Sequence, residues 1–178
     1  GQIGGKAILL NCHATLLDDP PVRIPYLTAE IDGGRLSADI SPSVVGSSSL
    51  GGSLSLTGLG GKMSLQPSEL TLQLDLGMLD PGLSGRVDAQ LFAEGPLKSP
   101  SLSLQASSPG ISYQGQEVRA VTLEANYSEE ELSFSLQDAI WNGLAVSLAG
   151  AMDTKYRRLL ATMDVPYTHL TQPKIYTV

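Results

Sequence analysis

LTAEIDGGRLSADIS, residues 27 to 41, decides the fold, because its apolar pattern reads the same outward in both directions from a pair of glycines. Leu27, Ala29 and Ile31 take alternate positions before the pair, and Leu36, Ala38 and Ile40 do so after it, with Thr28, Glu30, Ser37 and Asp39 between. A period of two puts successive side chains on opposite faces of an extended chain, so each half is a strand with one dry and one wet side. Gly33 and Gly34 suit a two-residue turn of the primed kind, which needs positive φ at both positions. Such a turn makes Ile31 face Leu36, Ala29 face Ala38 and Leu27 face Ile40, and it sets Asp32 opposite Arg35 as a cross-strand charge pair.

The same grammar runs on along the chain. Leu70, Leu72, Leu74 and Leu76 alternate with Thr71, Gln73 and Asp75. Val87, Ala89, Leu91 and Ala93 alternate with Arg86, Asp88, Gln90 and, as an exception, Phe92. Further strands are expected over 8–16, 52–57, 100–107, 118–128, 132–137, 144–152 and 158–165. Breaks are expected at DDPP (18–21), SPSVVGSSSLGG (41–52), GLGGK (58–62), LDPG (79–82) and SSPG (107–110). No window carries a helical stripe, so the chain reads as nearly all β, with antiparallel strands joined by hairpins.

Composition narrows this further. A chain of 178 residues with 42% apolar content can build one sizeable domain, yet only 5% of its residues are aromatic. Few large rings favour a thin, extended sheet over a thick sandwich. The net charge of −7 excludes a nucleic-acid surface, which needs clustered cations, and disfavours docking on anionic lipid headgroups. Cys12 stands alone, so no internal disulfide forms. No apolar run is long enough for a transmembrane helix and no signal peptide is visible. The opening at Gly1, in mid-pattern and without methionine, reads as a fragment whose targeting or anchoring segment lies elsewhere.

An internal echo appears when the chain is laid on itself. Val22, Arg23, Leu27, Ala29, Leu36 and Ser37 recur as Val118, Arg119, Leu123, Ala125, Leu132 and Ser133, while Ile31 and Ile40 match Tyr127 and Leu136. One strand pair is used twice. Glu129 and Glu130 replace the two glycines, which predicts a looser second turn.

Residues that could carry chemistry are sparse. Cys12 and His13 are adjacent on one strand and point to opposite faces, so they cannot share a metal. GLGGKMS, 58 to 64, resembles a phosphate loop but has Leu56 where that motif needs glycine and Met63 where it needs Ser or Thr. Asp18 with Asp19, and Glu129 to Glu131, read as solvated turns rather than acid–base pairs. Trp141 is expected at a strand end or rim. No catalytic residue, metal site or cofactor is expected, and the chain does not read as an enzyme. The tail PYTHLTQPKIYTV, 166 to 178, breaks with the pattern and resembles a translated sequencing adapter, so the β domain is placed at 1–165 and the tail is left out of functional reasoning.

GPLKSPSLSLQASSPGISYQGQEVRAVTLEANYSEEELSFSLQDAIWNGLAVSLAGAMD, 95 to 153, resembles the AsmA and TamB superfamily of bacterial envelope proteins, TamB-like members above all. Its phrasing is Gly, apolar, two spacers, Pro, an alternating strand, a Tyr-Gly segment, a strand pair and a further strand. VRIPYLTAEIDGGRLSADIS follows the same grammar, so the resemblance covers roughly 20 to 165. The resemblance implies an elongated, curved β-sheet forming an open apolar trough. It also implies a periplasmic location with the parent anchored in the inner membrane of a diderm bacterium. The implied role is carrying phospholipid between the membranes or, on another view, assembling outer-membrane proteins with an outer-membrane β-barrel partner.

The lipid groove expected on this reading is lined by Leu27, Ala29, Ile31, Leu36, Ile40, Leu70, Leu72, Leu74, Leu76, Val121, Leu123, Tyr127, Leu132, Phe134 and Leu136. Acyl chains are the expected partner, with membrane anchoring outside this fragment. The alternative is a structural or assembly module whose apolar faces close on each other and stay dry.

Overall fold

The computed structural model describes residues 4–14, 22–45 and 47–164, with the backbone alone at 8–14, 22–26, 43 and 45. It is all β. The strands are β1 (Gly5–Ala14), β2 (Val22–Asp32), β3 (Arg35–Val45), β4 (Ser48–Thr57), β5 (Ser64–Asp75), β6 (Leu83–Pro96), β7 (Ser101–Tyr113), β8 (Gln116–Ser128), β9 (Glu131–Trp141), β10 (Leu144–Asp153) and β11 (Arg158–Asp164). One 3-10 turn, Leu76–Met78, lies between β5 and β6. Every strand pairs antiparallel with its neighbours in the chain, which gives a single eleven-stranded sheet in sequence order. β1 and β11 do not pair with each other, so the sheet is open and not a barrel.

The opening hairpin has the expected register: Leu27 pairs with Ile40, Ala29 with Ala38 and Ile31 with Leu36. Gly33 and Gly34 have φ of 54° and 80°, as a primed turn requires. Asp32 and Arg35 are opposite each other, but they do not form the expected charge pair; the Arg35 guanidinium instead donates from Nε to Ser55 Oγ at 2.9 Å.

The echo is structural as well. In the β8–β9 hairpin Leu123 pairs with Leu136, Ala125 with Phe134 and Tyr127 with Leu132, the register of β2–β3 repeated. The second turn is not looser than the first. Glu129 and Glu130 adopt φ of 50° and 69°, the same conformation as the glycines, because the apolar pairs fix the register and leave only two residues for the turn. The next hairpin secures it, with the Thr154 N–H donating to the Glu130 carbonyl at 2.8 Å. A left-handed Glu is strained by roughly 1 kcal/mol per residue. Replacing Glu129-Glu130 with Asn-Gly should therefore stabilise the protein by about 1 kcal/mol in urea unfolding. An unchanged midpoint would show that the carboxylate turn is unstrained.

Among the prolines that lie in strands, where a missing N–H breaks the ladder, three coincide with irregular pairing. Each occupies a point where the register slips: Pro42 in β3 opposite β4, Pro67 in β5 opposite both β4 and β6, and Pro109 in β7 opposite β6. SSPG, expected as a break, thus lies inside β7, and 41–52 is mostly strand, interrupted only between β3 and β4. Buried serine hydroxyls repair the ladder at two of the bulges. Ser68 Oγ accepts the Ser55 N–H at 3.0 Å and donates to the Gln66 carbonyl at 2.8 Å. Ser108 Oγ spans Pro109, accepting the Gly110 N–H at 3.2 Å and donating to its carbonyl at 3.0 Å. A bulge bends its strand and increases the local twist, so these positions re-aim the sheet as it grows.

At the β5–β6 connection the Asp75 carboxylate accepts hydrogen bonds from the Ser47 hydroxyl and, at 3.0 Å, from the Gly77 N–H. The Ser47 bond first, then the Gly77 bond, hold its pKa below the ordinary 3.8, with Arg86 helping and desolvation opposing. Because the folded value is depressed, the stabilisation is present above the unfolded value and disappears as pH falls through the folded one. The difference in thermal midpoint between the protein and Asp75→Asn should accordingly be constant near neutral pH and shrink below the ordinary value of 3.8. A difference independent of pH in acid would remove the carboxylate from this role.

A continuous apolar face as the candidate functional site

The register carries one row of small or apolar residues across the sheet from β2 to β11. It runs from Leu27 through Ile40, Gly52, Leu70 and Leu91, and on through Leu104, Ala125, Phe134 and Gly150 to Ala161. A second row is Leu50, Leu72, Ala89, Ala106, Leu123, Leu136, Leu148 and Met163. A third, shorter row joins Ala93, Leu102, Tyr127, Leu132, Met152 and Leu159. Residues that pair directly across strands share a face, so these rows form one surface.

No second layer covers this surface. Among the described residues each strand makes its main contacts with the strands beside it in the chain, the 3-10 turn adding contacts to β6. Among the residues whose side chains are described, only Leu76 and Ala139 are buried large or apolar residues. The leucines along the rows remain half-exposed, as at Leu70, Leu72, Leu123 and Leu136, and on the edge strand β11 Leu159 and Met163 are 62% and 65% exposed. A fully exposed leucine forgoes roughly 1.5–3 kcal/mol of burial, and the row leucines forgo a part of that.

The structure brings the expected groove residues together with one departure. Leu27, Ala29, Ile31, Leu36, Ile40, Leu70, Leu72, Leu74, Val121, Leu123, Tyr127, Leu132, Phe134 and Leu136 all lie on strands and are half-buried. Leu76 does not continue the β5 stripe: β5 ends at Asp75, and Leu76 starts the 3-10 turn, where it is 9% exposed. Asp75 ends the strand by capping that turn through Gly77. The face is also wider than expected, since Leu50, Ala89, Leu91, Leu102, Leu104 and Leu148 belong to its rows. Alternation with Ser or Gln in LSLQ and VSLA was the signal that marks several of them.

The opposite face is polar. Across β5 to β8 one of its rows is Thr71, Gln90, Gln105 and Glu124. Shallow hollows lie between such rows, of about 510 Å³ beside Gln90 and Gln105 and about 640 Å³ beside Phe92. Trp141 ends β9 and is 46% exposed, as a rim position should be. Cys12 and His13 occupy adjacent register positions on β1, opposite Ile24 and Arg23. Asp18, Asp19 and the 166–178 tail lie outside the described residues, as does Val165 at the expected end of the β domain. Among the described residues no cluster of metal-ligating side chains occurs, and no helix is long and apolar enough to cross a membrane. No family model, curated protein or solved structure matches the chain.

Proposed function

We propose that this chain is a segment of a bridge-like lipid carrier, in which the apolar face of the sheet holds phospholipid acyl chains between the inner and outer membranes of a diderm bacterium. The observation that carries the reading is the single-layered sheet with an apolar face running unbroken from strand to strand and no protein layer over it. The resemblance of 95 to 153 to AsmA and TamB proteins supports the same reading.

Acyl chains suit such a face because each methylene taken from water contributes roughly 0.8 kcal/mol, without any need for directional partners. The strands run across the long axis of the sheet. A lipid moving along that axis meets a near-identical row element every 4.8 Å or so. Successive positions are then close in energy, and movement is passive one-dimensional diffusion. The parent protein, on this reading, is periplasmic and held in the inner membrane by a segment outside these residues, with an outer-membrane β-barrel as a potential receiver.

Organic extraction of the purified chain, made in a diderm host, and mass spectrometry of the extract test the proposal. Phospholipid recovered with the protein supports it. Protein free of lipid, which also fails to take up labelled phospholipid from vesicles, overturns it. The open ladders of β1 and β11 favour the structural or assembly module as the second reading. That module would show concentration-dependent association instead of lipid.

A further inference from the structure

Phe92 breaks the alternation of β6 by standing on the polar face, between Glu69 of β5 and Ser103 of β7 in the ladder, with Asn126 of β8 next in the row. Its side chain is 38% exposed, and it lines the hollow of about 640 Å³ together with Pro67, Glu69, Glu94, Ser103 and Asn126. Two features bear on what this hollow could hold. Its lining includes two apolar groups, the ring and the proline of the β5 bulge. Its polar rim is also unspent: the side chains of Glu69, Glu94, Ser103 and Asn126 have no hydrogen-bond or ion-pair partner among the described residues.

An exposed ring beside unpaired acceptors and donors matches the chemistry of a pyranose. The ring face carries negative potential and attracts the C–H groups on one side of a sugar. Carboxylates, an amide and a hydroxyl around it can exchange hydrogen bonds with the sugar hydroxyls. The lining contains two carboxylates and no Lys, Arg or His, which disfavours phosphate or carboxylate ligands. We propose that the hollow around Phe92 binds an uncharged saccharide, on the face of the sheet opposite the apolar one. This site does not depend on the lipid reading.

The test is saturation-transfer NMR and titration calorimetry on the full chain, with chitotetraose, cellotetraose and maltotetraose as probes. One of the three should receive saturation at its ring C–H groups and give a measurable affinity. Phe92→Ser should weaken that affinity about tenfold or more, and Phe92→Leu, which keeps apolar bulk without the π face, should weaken it as well. Asn126→Ala should lower it by a smaller factor. Leu123→Asp, on the other face, should leave it unchanged, which separates this site from the lipid one. Absence of saturation transfer to all three probes overturns the proposal, and so does full affinity in Phe92→Leu.

Discussion

On the proposed carrier function, Leu123→Asp should yield a folded protein that has lost its phospholipid. Leu123 sits in the middle of the second apolar row, between Ala106 and Leu136, and is half-exposed. An aspartate there keeps its hydration when the face is empty, so the unfolding midpoint should move by no more than about 1 kcal/mol in equivalent stability. With acyl chains laid over the row, the same carboxylate loses its water and finds no partner, which is costly. Each 1.4 kcal/mol of that penalty lowers occupancy about tenfold, and lipid phosphorus per chain should fall by at least that factor. Leu72→Asp, in the same row, should behave alike, whereas Thr122→Asp on the opposite face should retain lipid. The measurement is phosphorus content beside a circular dichroism spectrum. Unfolding of Leu123→Asp, in a protein from which lipid is never recovered, would mean a closed, dry core.

Gly52→Val should be the most destabilising single change in the described sheet. Gly52 has φ of 134°, and a Cβ there would run into the Glu69 carbonyl oxygen and lie 2.8 Å from the Leu70 Cα. Both obstacles are backbone atoms of the paired strand, so the clash can be relieved only by parting β4 from β5. A loss of about 3 kcal/mol or more is expected, read as a lower urea midpoint or as failure to fold. Gly51→Ala is the control, since its Cβ would meet the Pro42 Cα at 3.4 Å and the Ile40 oxygen at 3.5 Å. It should cost little. Equal effects at the two positions would show that the backbone approach at Gly52 is not rigid.

The strands were readable from sequence because a period of two is a local property, visible in LTAEI or LTLQL without knowing any partner. The β2–β3 register was readable for the same reason, with the turn and the apolar pattern agreeing on it. The bulges were not. A proline such as Pro109 looks like a chain break when its own strand is considered alone. The pairing with β8, which runs through Pro109 in constant register, shows the strand continuing past it, while the ladder to β6 slips there and Ser108 stands in for the missing contact. The Glu129-Glu130 turn was misjudged because its conformation is imposed by apolar pairs several residues away, not by its own propensity. Asn142-Gly143, with φ of 51° and 78°, carries the standard hairpin dipeptide and locates the β9–β10 turn without help. As for the site, its apolar residues were visible as stripes, but the joining of those stripes into one surface depends on register between strands. Nothing finer was encoded: a surface that solvates hydrocarbon has no fixed spacing of reactive groups to recognise.

The serial strand order also bears on how cooperative this molecule can be. Because each strand is supported chiefly by its two neighbours, its stability is approximately a sum of nearest-neighbour terms, as in repeat proteins, and not the property of one shared core. Such a chain frays from its ends. Amide exchange should be slowest in β5 to β8 and quicken toward β11, whose seven residues are all exposed and have a partner on one side only. Folding needs no closure between distant parts of the sequence, so hairpins can be added one after another as the chain emerges, each templated by the strand already in place.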